Sequence, residues 1–279
     1  MIAYLKSSSL FQILRKYKYK MKRKNSGGEK TSLAHFRNLL VNDLYIQKGD
    51  SIIVHCGFGF LNADFTPNVL ITTLKEVVGP NGHIMMPFYP PGLSRHWLES
   101  GRVFDAKTIR CSTGALAQVF SQTENVQISI HPIKAVAVWG ENARQIVKDH
   151  EKCAYPYDEG SPYYKFSQLK NAKAIGLGVR NCSVVHMLED MFEQDKEYLY
   201  SKTKMVGKVK TNFGMQNVDT YYHHGDVSLI EPKDFLDKYC PELVILSKKT
   251  GFISYSISTE SLLGKGRKLF SKGVNRQCH

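Results

Sequence analysis

The residues with the clearest chemical signature are His186 and Glu189, which are predicted to lie on one helix just after a buried strand at residues 174–179. Residues three apart share a helix face, so Glu189 can orient the His186 imidazole and raise its basicity. Open α/β sheets bind ligands beyond the carboxyl ends of their strands. The pair therefore has the geometry of a general base. In isolation, a histidine packed on a helix beside a solvated carboxylate is the commoner arrangement.

A second cluster, His55-Cys56-Gly57-Phe58, also follows a predicted strand. Its small residues would let backbone amides approach a ligand closely. A nucleophilic Cys56 thiolate activated by His55 is disfavoured, because adjacent residues in extended chain point to opposite sides. The cluster therefore predicts a binding loop and argues against a covalent mechanism.

Hydroxyl residues and a glycine, Ser112-Thr113-Gly114, begin a predicted helix. Free amides and the positive end of the helix dipole favour a phosphate at such a position, and an ordinary helix cap is the alternative. His131 precedes a proline and is therefore expected in extended chain, which alone assigns it no role.

Two other stretches bear on ligand binding. Gly176-x-Gly178 resembles part of a dinucleotide-binding loop, but the third glycine is missing and Arg180 and Asn181 follow instead, which excludes a Rossmann site. A long proline- and glycine-rich loop begins at Tyr89, and loops of this kind are commonly binding elements. Tyr89 is therefore a candidate for lining a ligand site, with a packed loop as the alternative.

Alternating strands and helices are needed to position these clusters. Apolar, β-branched runs predict buried strands at residues 51–55, 83–87, 135–139 and 174–179. Helical spacing predicts helices at residues 66–78, 114–120 and 141–150, and near 232–238. The first strand, helix and strand should form a right-handed parallel unit. Alternating polar and apolar residues at 208–211 and 218–222 predict a small antiparallel element, so the fold class is α/β.

Composition places the chain among ordinary globular proteins, with 42% hydrophobic and 23% charged residues. Its formal net charge is +13, from 38 Lys and Arg against 25 Asp and Glu, which favours anionic partners. A nucleic-acid- or membrane-binding protein is the competing class. It is disfavoured because no nucleic-acid motif appears and the basic residues concentrate at the two ends. The sequence contains no run of about 18 apolar residues, so no transmembrane helix is expected.

Six cysteines are scattered without a C-x-x-C pair or zinc spacing, which predicts free thiols in a reducing cytoplasm and no metal site. Residues 1–28 form a basic N-terminal extension ahead of one domain at 29–279, whose subregion 196–279 should pack on the core. The extension is interpreted as a solvated or partner-packed helix, with peripheral contact to an anionic membrane as the alternative. A homo-oligomer is compatible with the sequence.

Taken in order, the segments from about Gly49 to Glu189 resemble the aminoglycoside 3-N-acetyltransferase family. The likeness is carried by Gly49-Asp50, Val54-His55, Val78-Gly79-Pro80-Asn81-Gly82, Met86-Pro87, Phe104-Asp105, Ser112-Thr113-Gly114, His131-Pro132, Gly140, Gly160-Ser161-Pro162 and His186-x-x-Glu189. The chain departs from the family pattern at Cys56 and Gly57, where serine is usual, and at Ile128, where arginine is usual.

This resemblance implies a three-layer α/β/α sandwich, acetyl- or another acyl-coenzyme A as donor, and direct attack by an amine in a ternary complex. Under it, His186 is the general base and Glu189 holds His186. The coenzyme is expected to contact His55, Cys56, Gly57, Phe58, Ser112, Thr113 and Gly114. Tyr89, Asp105 and His131 are expected on the acceptor side.

The acceptor is predicted to be an amino sugar. Relatives of the family also act in surface-polysaccharide pathways on amino sugars linked to nucleotides, and such an anionic acceptor suits a chain with a net charge of +13. The sequence therefore favours a nucleotide-linked amino sugar in surface polysaccharide biosynthesis. An aminoglycoside antibiotic is the alternative acceptor.

Overall fold

The structure, a computed structural model, describes residues 30–224, 229–248 and 251–277. The predicted basic extension at 1–28 lies outside the described residues, so both interpretations of it stay predictions. Within the described ranges, no helix is long and apolar enough to cross a membrane.

Ten strands and nine α-helices make up the described part of the chain. The strands are β1 (Ser51–Cys56), β2 (His83–Pro87), β3 (Val103–Asp105), β4 (Gln127–Ile128), β5 (Val136–Trp139), β6 (Ala172–Leu177), β7 (Met205–Thr211), β8 (Gly214–Thr220), β9 (Ile245–Ser247) and β10 (Ser254–Ser258). The helices are α1 (Leu33–Asn38), α2 (Pro67–Val78), α3 (Ser94–Glu99), α4 (Ala115–Phe120), α5 (Ala143–Val147), α6 (Pro162–Ser167), α7 (Val184–Phe192), α8 (Pro232–Tyr239) and α9 (Thr259–Phe270).

Local signals in the sequence explain where these helices begin and end. The Thr66 hydroxyl accepts a hydrogen bond from the Val69 amide, Pro67 occupies the first turn, and Gly79 at φ 70° ends α2. Ser32 caps α1 in the same way, and α1 runs on into a π-helical turn at Leu39–Asp43.

A seven-stranded mixed sheet forms the centre of the molecule, in the order β4-β5-β2-β1-β6-β10-β9. The three inner strands β2, β1 and β6 are parallel, and the strands flanking them are antiparallel. Because β1 and β6 pair in register up to Cys56 and Leu177, their carboxyl ends lie side by side. The loops after these two strands therefore meet at one edge of the sheet.

Helices cover both faces of this sheet. Alternate side chains of β1 enter two different cores: Ile52 and Val54 pack in one, and Ile53 packs in the other. The first core includes apolar residues of α1, α2 and α4, and the second includes apolar residues of α5, α6, α7, α8 and α9. The α/β fold class and its three-layer sandwich are thereby confirmed.

The strands predicted in the central region all form: the strand at residues 83–87 has the predicted ends, and the ends of the others are shifted by at most two residues. The predicted helix at 141–150 is broken into α5 and a 3₁₀ turn at His150–Lys152. The predicted antiparallel element is the β7-β8 hairpin, which also pairs with β3. Strands β9 and β10 were missed, because the buried residues Ser254 and Ser256 hide the hydrophobic pattern of β10.

Close packing at Gly176 generates a stability prediction. A Cβ at this position in β6 would lie 2.0 Å from Tyr255 Cε1 and 2.6 Å from the Val179 carbonyl oxygen. We expect Gly176→Ala to lower the free energy of unfolding by about 1–3 kcal/mol through overpacking, as measured by urea denaturation.

A matched control separates this clash from the common effect of Gly→Ala on the unfolded chain. Gly264 in α9 is exposed and has open space at its Cβ position, so Gly264→Ala should stabilise the protein by up to about 1 kcal/mol. If both substitutions changed the free energy of unfolding in the same direction, the packing described for β6 would be contradicted.

Candidate active site

A cavity of about 440 Å³ opens at the sheet edge where β1 and β6 end. Its polar and titratable lining comes from loops after the central strands, from the start of α7 and from the C-terminal segment. These residues are His55, Cys56, Tyr89, Ser112, Thr113, Lys134, Tyr157, Asn181, Cys182, Ser183, His186, Glu231, Lys233 and Arg276. The predicted general base and much of the predicted coenzyme loop therefore face one space.

Helix α7 places His186 and Glu189 on one face, as their spacing predicts. Glu189 is fully buried, and its Oε2 lies 2.7 Å from His186 Nδ1. Its other oxygen, Oε1, accepts a hydrogen bond from Arg276 Nη1 at 2.7 Å. Glu189 is therefore held from two sides and is not the solvated helix charge of the alternative interpretation.

Arg276 reaches Glu189 because the C-terminal segment lies beside Ile230 and is hydrogen-bonded to it. The Ile230 amide donates to the Arg276 carbonyl at 2.7 Å, and Arg276 Nε donates to the Ile230 carbonyl at 2.5 Å. The sequence places Arg276 among the basic residues of the C-terminal end, which suggests a solvated charge. In the structure it is 5% exposed and belongs to the site.

Burial and neighbouring charge set the protonation of this cluster. Burial, together with the positive charges of Arg276 and Lys134, lowers the pKa of His186 well below its usual 6.5. Burial raises the pKa of Glu189, and Arg276 opposes that rise. His186 is therefore a neutral imidazole at pH 7. Its Nδ1–H donates to Glu189, which leaves Nε2 as the proton acceptor.

His223, which the sequence left unassigned, packs against this cluster. Its ring centroid lies 4.6 Å from that of His186 and 4.2 Å from that of Tyr200. Its Nε2 lies 3.8 Å from Glu189 Oε2 and has no hydrogen-bond partner among the described residues. Burial lowers the pKa of His223 well below 6.5, so it adds a second neutral imidazole beside Glu189.

The same three residues have ligand atoms close enough to hold a metal ion. Atoms of His186, Glu189 and His223 lie within 4.8 Å of one another. The Arg276 guanidinium already binds Glu189 and lies 3.3 Å from His186 Nδ1, so its positive charge opposes a cation there. The arrangement is better suited to proton transfer.

On the β1 side of the cavity, His55 contacts the loop before α7. His55 Nε2 lies 2.7 Å from the Ser183 hydroxyl and accepts the Ser183 amide at 3.0 Å. Burial raises the pKa of Cys56 to about 12, so this residue is a thiol at neutral pH. That supports the prediction that Cys56 is not a nucleophile. Gly57 donates its amide to Leu177, the last residue of β6.

The helix start at Ser112 and Thr113 lies on the cavity wall, but part of its hydrogen-bonding capacity is used internally. The Ser112 amide donates to the Tyr89 carbonyl at 2.9 Å, and the Thr113 hydroxyl donates to the Pro87 carbonyl at 2.5 Å. Gly114 adjoins the β1 loop, since a Cβ there would lie 3.1 Å from the Cys56 carbonyl oxygen. Phe58 packs at the edge of the first core.

The three residues predicted on the acceptor side have different environments. Tyr89 lines the cavity, and its hydroxyl lies 2.6 Å from that of Tyr163 and 3.0 Å from that of Tyr157. His131 does not line the cavity. It is 1% exposed and its Nδ1 accepts the Lys134 amide at 3.0 Å. Asp105 pairs with Lys210 at 3.1 Å, also away from the cavity lining.

The structure adds Lys134, Tyr157, Ser183, His223 and Arg276 to the residues around the cavity. Ser183 lies within the loop that the sequence emphasised, and Lys134 follows the His131-Pro132 motif by two residues. The other three have no local signal, because only long-range packing brings them to the site.

A protein-family model and several solved structures match this chain. Residues 53–239 match the model of the family described as aminoglycoside 3-N-acetyltransferase. Comparison with curated protein sequences gives no match.

Among solved structures, the chain is similar in fold to aminoglycoside acetyltransferase AAC(3)-Xa, with 16% identity, a TM-score of 0.75, and coverage of 93% of this chain and 99% of that one. The apoenzyme of AAC(3)-IVa gives 20% identity, a TM-score of 0.70 and coverage of 89% and 92%. AAC-IIIb, solved as a binary complex with coenzyme A, gives 18% identity, a TM-score of 0.71 and coverage of 88% and 98%.

The family match spans more than half of the chain, and the structural likeness extends over most of it. The predicted enzyme class, an acyl-CoA-dependent N-acyltransferase, is thereby confirmed. The chain belongs to the aminoglycoside 3-N-acetyltransferase family.

Proposed function

We propose that this protein transfers an acyl group from coenzyme A to the amino group of an amino sugar, with His186 as the general base. The observation that carries the proposal is the neutral His186 imidazole, held through Nδ1 by buried Glu189 and lining the cavity. A general base must be unprotonated at working pH and within reach of the proton that it removes.

Attack by the acceptor amine on the thioester carbonyl leaves the nitrogen positively charged, and His186 Nε2 takes the surplus proton. The imidazolium that forms is stabilised by Glu189 at 2.7 Å. The C–S bond then breaks, and the sulfur leaves as a thiolate. Because a thiol has a pKa of about 8.5, the sulfur can leave as a thiolate at neutral pH without protonation by a strong acid.

For the donor we propose the cavity wall formed by His55, Cys56, Ser112 and Thr113, which all line the same space as His186. Structural relatives support coenzyme A as donor, since AAC-IIIb was solved with it bound. The protonated Cys56 thiol supports direct transfer to the amine over an acyl-enzyme intermediate.

The comparisons favour an aminoglycoside as acceptor over the nucleotide-linked amino sugar that the sequence favours. A histidine-to-alanine variant of AAC(3)-IVa was solved in complex with a gentamicin, and AAC-VIa was solved with sisomicin. An aminoglycoside presents an amine on an aminocyclitol ring, which the open cavity of about 440 Å³ could admit in part.

A second candidate is an anionic amino sugar, of which a nucleotide-linked one in polysaccharide biosynthesis is the specific form predicted from the sequence. The charge of the cavity favours it, because Lys134, Lys233 and Arg276 line the space together with a single carboxylate side chain, Glu231. Polycationic acceptors bind best in acidic pockets.

We propose the cytoplasm as the working compartment. The five cysteines in the described ranges are free thiols, which suits a reducing environment. They are Cys56, Cys111, Cys153, Cys182 and Cys240.

Removal of the base tests the mechanism directly. We expect His186→Ala to lower kcat by roughly 10²–10⁴-fold, because the amine proton then has no positioned acceptor. Thiol release from acetyl-coenzyme A measures turnover, and titration calorimetry checks that coenzyme A still binds. His96→Ala at an exposed position is the matched control and should retain turnover. Unchanged turnover in His186→Ala would contradict the assignment.

Arg276 should govern both stability and the pH dependence of the base. We expect Arg276→Met to lower the free energy of unfolding by about 3–5 kcal/mol, because it leaves Glu189 buried without its cationic partner. Since Arg276 lowers the pKa of His186, the acid limb of kcat should move to higher pH in the variant.

Urea denaturation and a pH series of initial rates measure these two effects. Lys272→Met, at an exposed position in the same basic C-terminal segment, should change the free energy of unfolding by less than about 0.5 kcal/mol. If the Arg276→Met variant were as stable as the control and the acid limb of its kcat stayed at the wild-type pH, both roles assigned to Arg276 would be contradicted.

The acceptor class is decided by measuring thiol release separately with kanamycin and with a uridine-diphosphate-linked amino sugar. The charge of the cavity leads us to expect a higher kcat/KM for the nucleotide-linked amine. Turnover confined to kanamycin would reject the second candidate and leave the aminoglycoside acceptor.

A further inference from the structure

We propose that Lys134 forms an anion subsite in the cavity, and that the acceptor amine therefore belongs to a molecule carrying a phosphate or carboxylate group. This inference rests on the proposed function, because it concerns the second substrate of the same reaction. Family membership does not imply it, since it depends on a lysine of this chain and on the pairing of the cations around that lysine.

Of the three cationic side chains that line the cavity, two already have carboxylate partners. Arg276 binds Glu189 at 2.7 Å, and Lys233 pairs with the neighbouring Asp234. Lys134 has no carboxylate within ion-pair distance in the described ranges. The contact of its ammonium group is with the face of the Tyr89 ring, 4.7 Å from the ring centroid. The negative charge of Asp190 also acts on Lys134, but both Asp190 oxygens already accept hydrogen bonds, one from the Tyr200 hydroxyl and one from the Tyr157 amide. Among the described residues, Lys134 is therefore the lining cation without an ion-pair partner.

The lysine is also held in a defined place. Its backbone amide donates to His131 Nδ1 at 3.0 Å, which fixes the start of the side chain. The Tyr89 ring on which the ammonium rests is fixed through its hydroxyl, at 2.6 Å from that of Tyr163 and 3.0 Å from that of Tyr157. A cation placed by such surroundings binds an anion with little further loss of conformational freedom.

Burial makes this charge costly without a partner. Lys134 is partly buried, and this burial lowers its pKa to about 8 against the opposing charge of Asp190, although the ammonium form still predominates at neutral pH. A ligand phosphate or carboxylate would accept a charge-assisted hydrogen bond from Nζ and offset this cost. A polycationic acceptor would be bound better by a glutamate or aspartate side chain at this position of the cavity, and the structure has Lys134 there instead.

Lys134 lies at the reacting end of the cavity, so the phosphates of the donor are an unsuitable partner. The Tyr157 ring, which adjoins Tyr89 through its hydroxyl, lies 5.3 Å from the His186 ring. The thioester must lie beside His186 during transfer, and the pantetheine arm separates it from the nucleotide phosphates of coenzyme A. The anion next to Lys134 therefore comes from the acceptor.

The test uses the full-length wild-type enzyme first, with acetyl-coenzyme A and three amines of similar size: glucosamine, glucosamine 6-phosphate and glucosaminic acid. We expect kcat/KM for at least one of the two anionic amines to exceed that for glucosamine by roughly 10-fold or more. The amine preferred then shows whether the group is a phosphate or a carboxylate. Inorganic phosphate should inhibit competitively with the amine and not with acetyl-coenzyme A.

Variants then locate the effect. Lys134→Met should reduce the preference for the anionic amine over glucosamine by roughly 10- to 100-fold, and Lys134→Arg should keep a larger part of it. Lys170→Met is the matched control, because this exposed lysine precedes β6 at the opposite end of the strand from the cavity, and it should keep the full preference.

Three results would overturn the inference while leaving the transferase assignment in place. They are equal kcat/KM for charged and uncharged amines in the wild type, phosphate inhibition directed against acetyl-coenzyme A, and an equal fall in kcat with every amine in Lys134→Met. The last result would place Lys134 at the developing oxyanion. No thiol release with any of these amines or with kanamycin would overturn the proposed function together with the inference.

Discussion

A carboxylate without solvent contact is the constraint around which this site is arranged. Glu189 is fully buried on α7, and a buried carboxylate is costly unless it is paired and hydrogen-bonded. Arg276 supplies the charge on one oxygen and His186 supplies a donor on the other, both at 2.7 Å. The Glu189 contact fixes the tautomer of His186, while burial, together with the positive charge of Arg276, keeps the imidazole neutral. The burial of Glu189 and the proposed role of His186 as a base therefore depend on one set of hydrogen bonds.

This arrangement ties the end of the chain to the centre of the fold. Arg276 is 87 residues from Glu189 in sequence and is held near it by two hydrogen bonds with Ile230, one between the backbones and one from Arg276 Nε to the Ile230 carbonyl. The C-terminal segment consequently lines the candidate site as well as packing on the core. Strand β10 extends the same central sheet by pairing with β6, the strand whose loop leads into α7.

Local patterns in the sequence predicted the parts of the site that depend on local structure. The spacing of His186 and Glu189, the strand before them and the loop after β1 all follow from periodicities within a few residues. Arg276 and His223 could not be found in this way, since each reaches Glu189 through contacts between distant segments. The formal charge of +13 was likewise informative only in part, because within the described ranges Arg276 and Lys233 have carboxylate partners and Lys134 has none within ion-pair distance.

The central claim is that His186 is a neutral base whose Nδ1 proton is held by Glu189. The most direct measurement is nitrogen-15 NMR of the histidine side chains as a function of pH, with the His186 signals assigned from a His186→Asn sample. We expect an Nδ1-protonated neutral imidazole at pH 7 that takes up its second proton only well below pH 6.5. An imidazolium at pH 7, or a neutral ring protonated at Nε2, would contradict it.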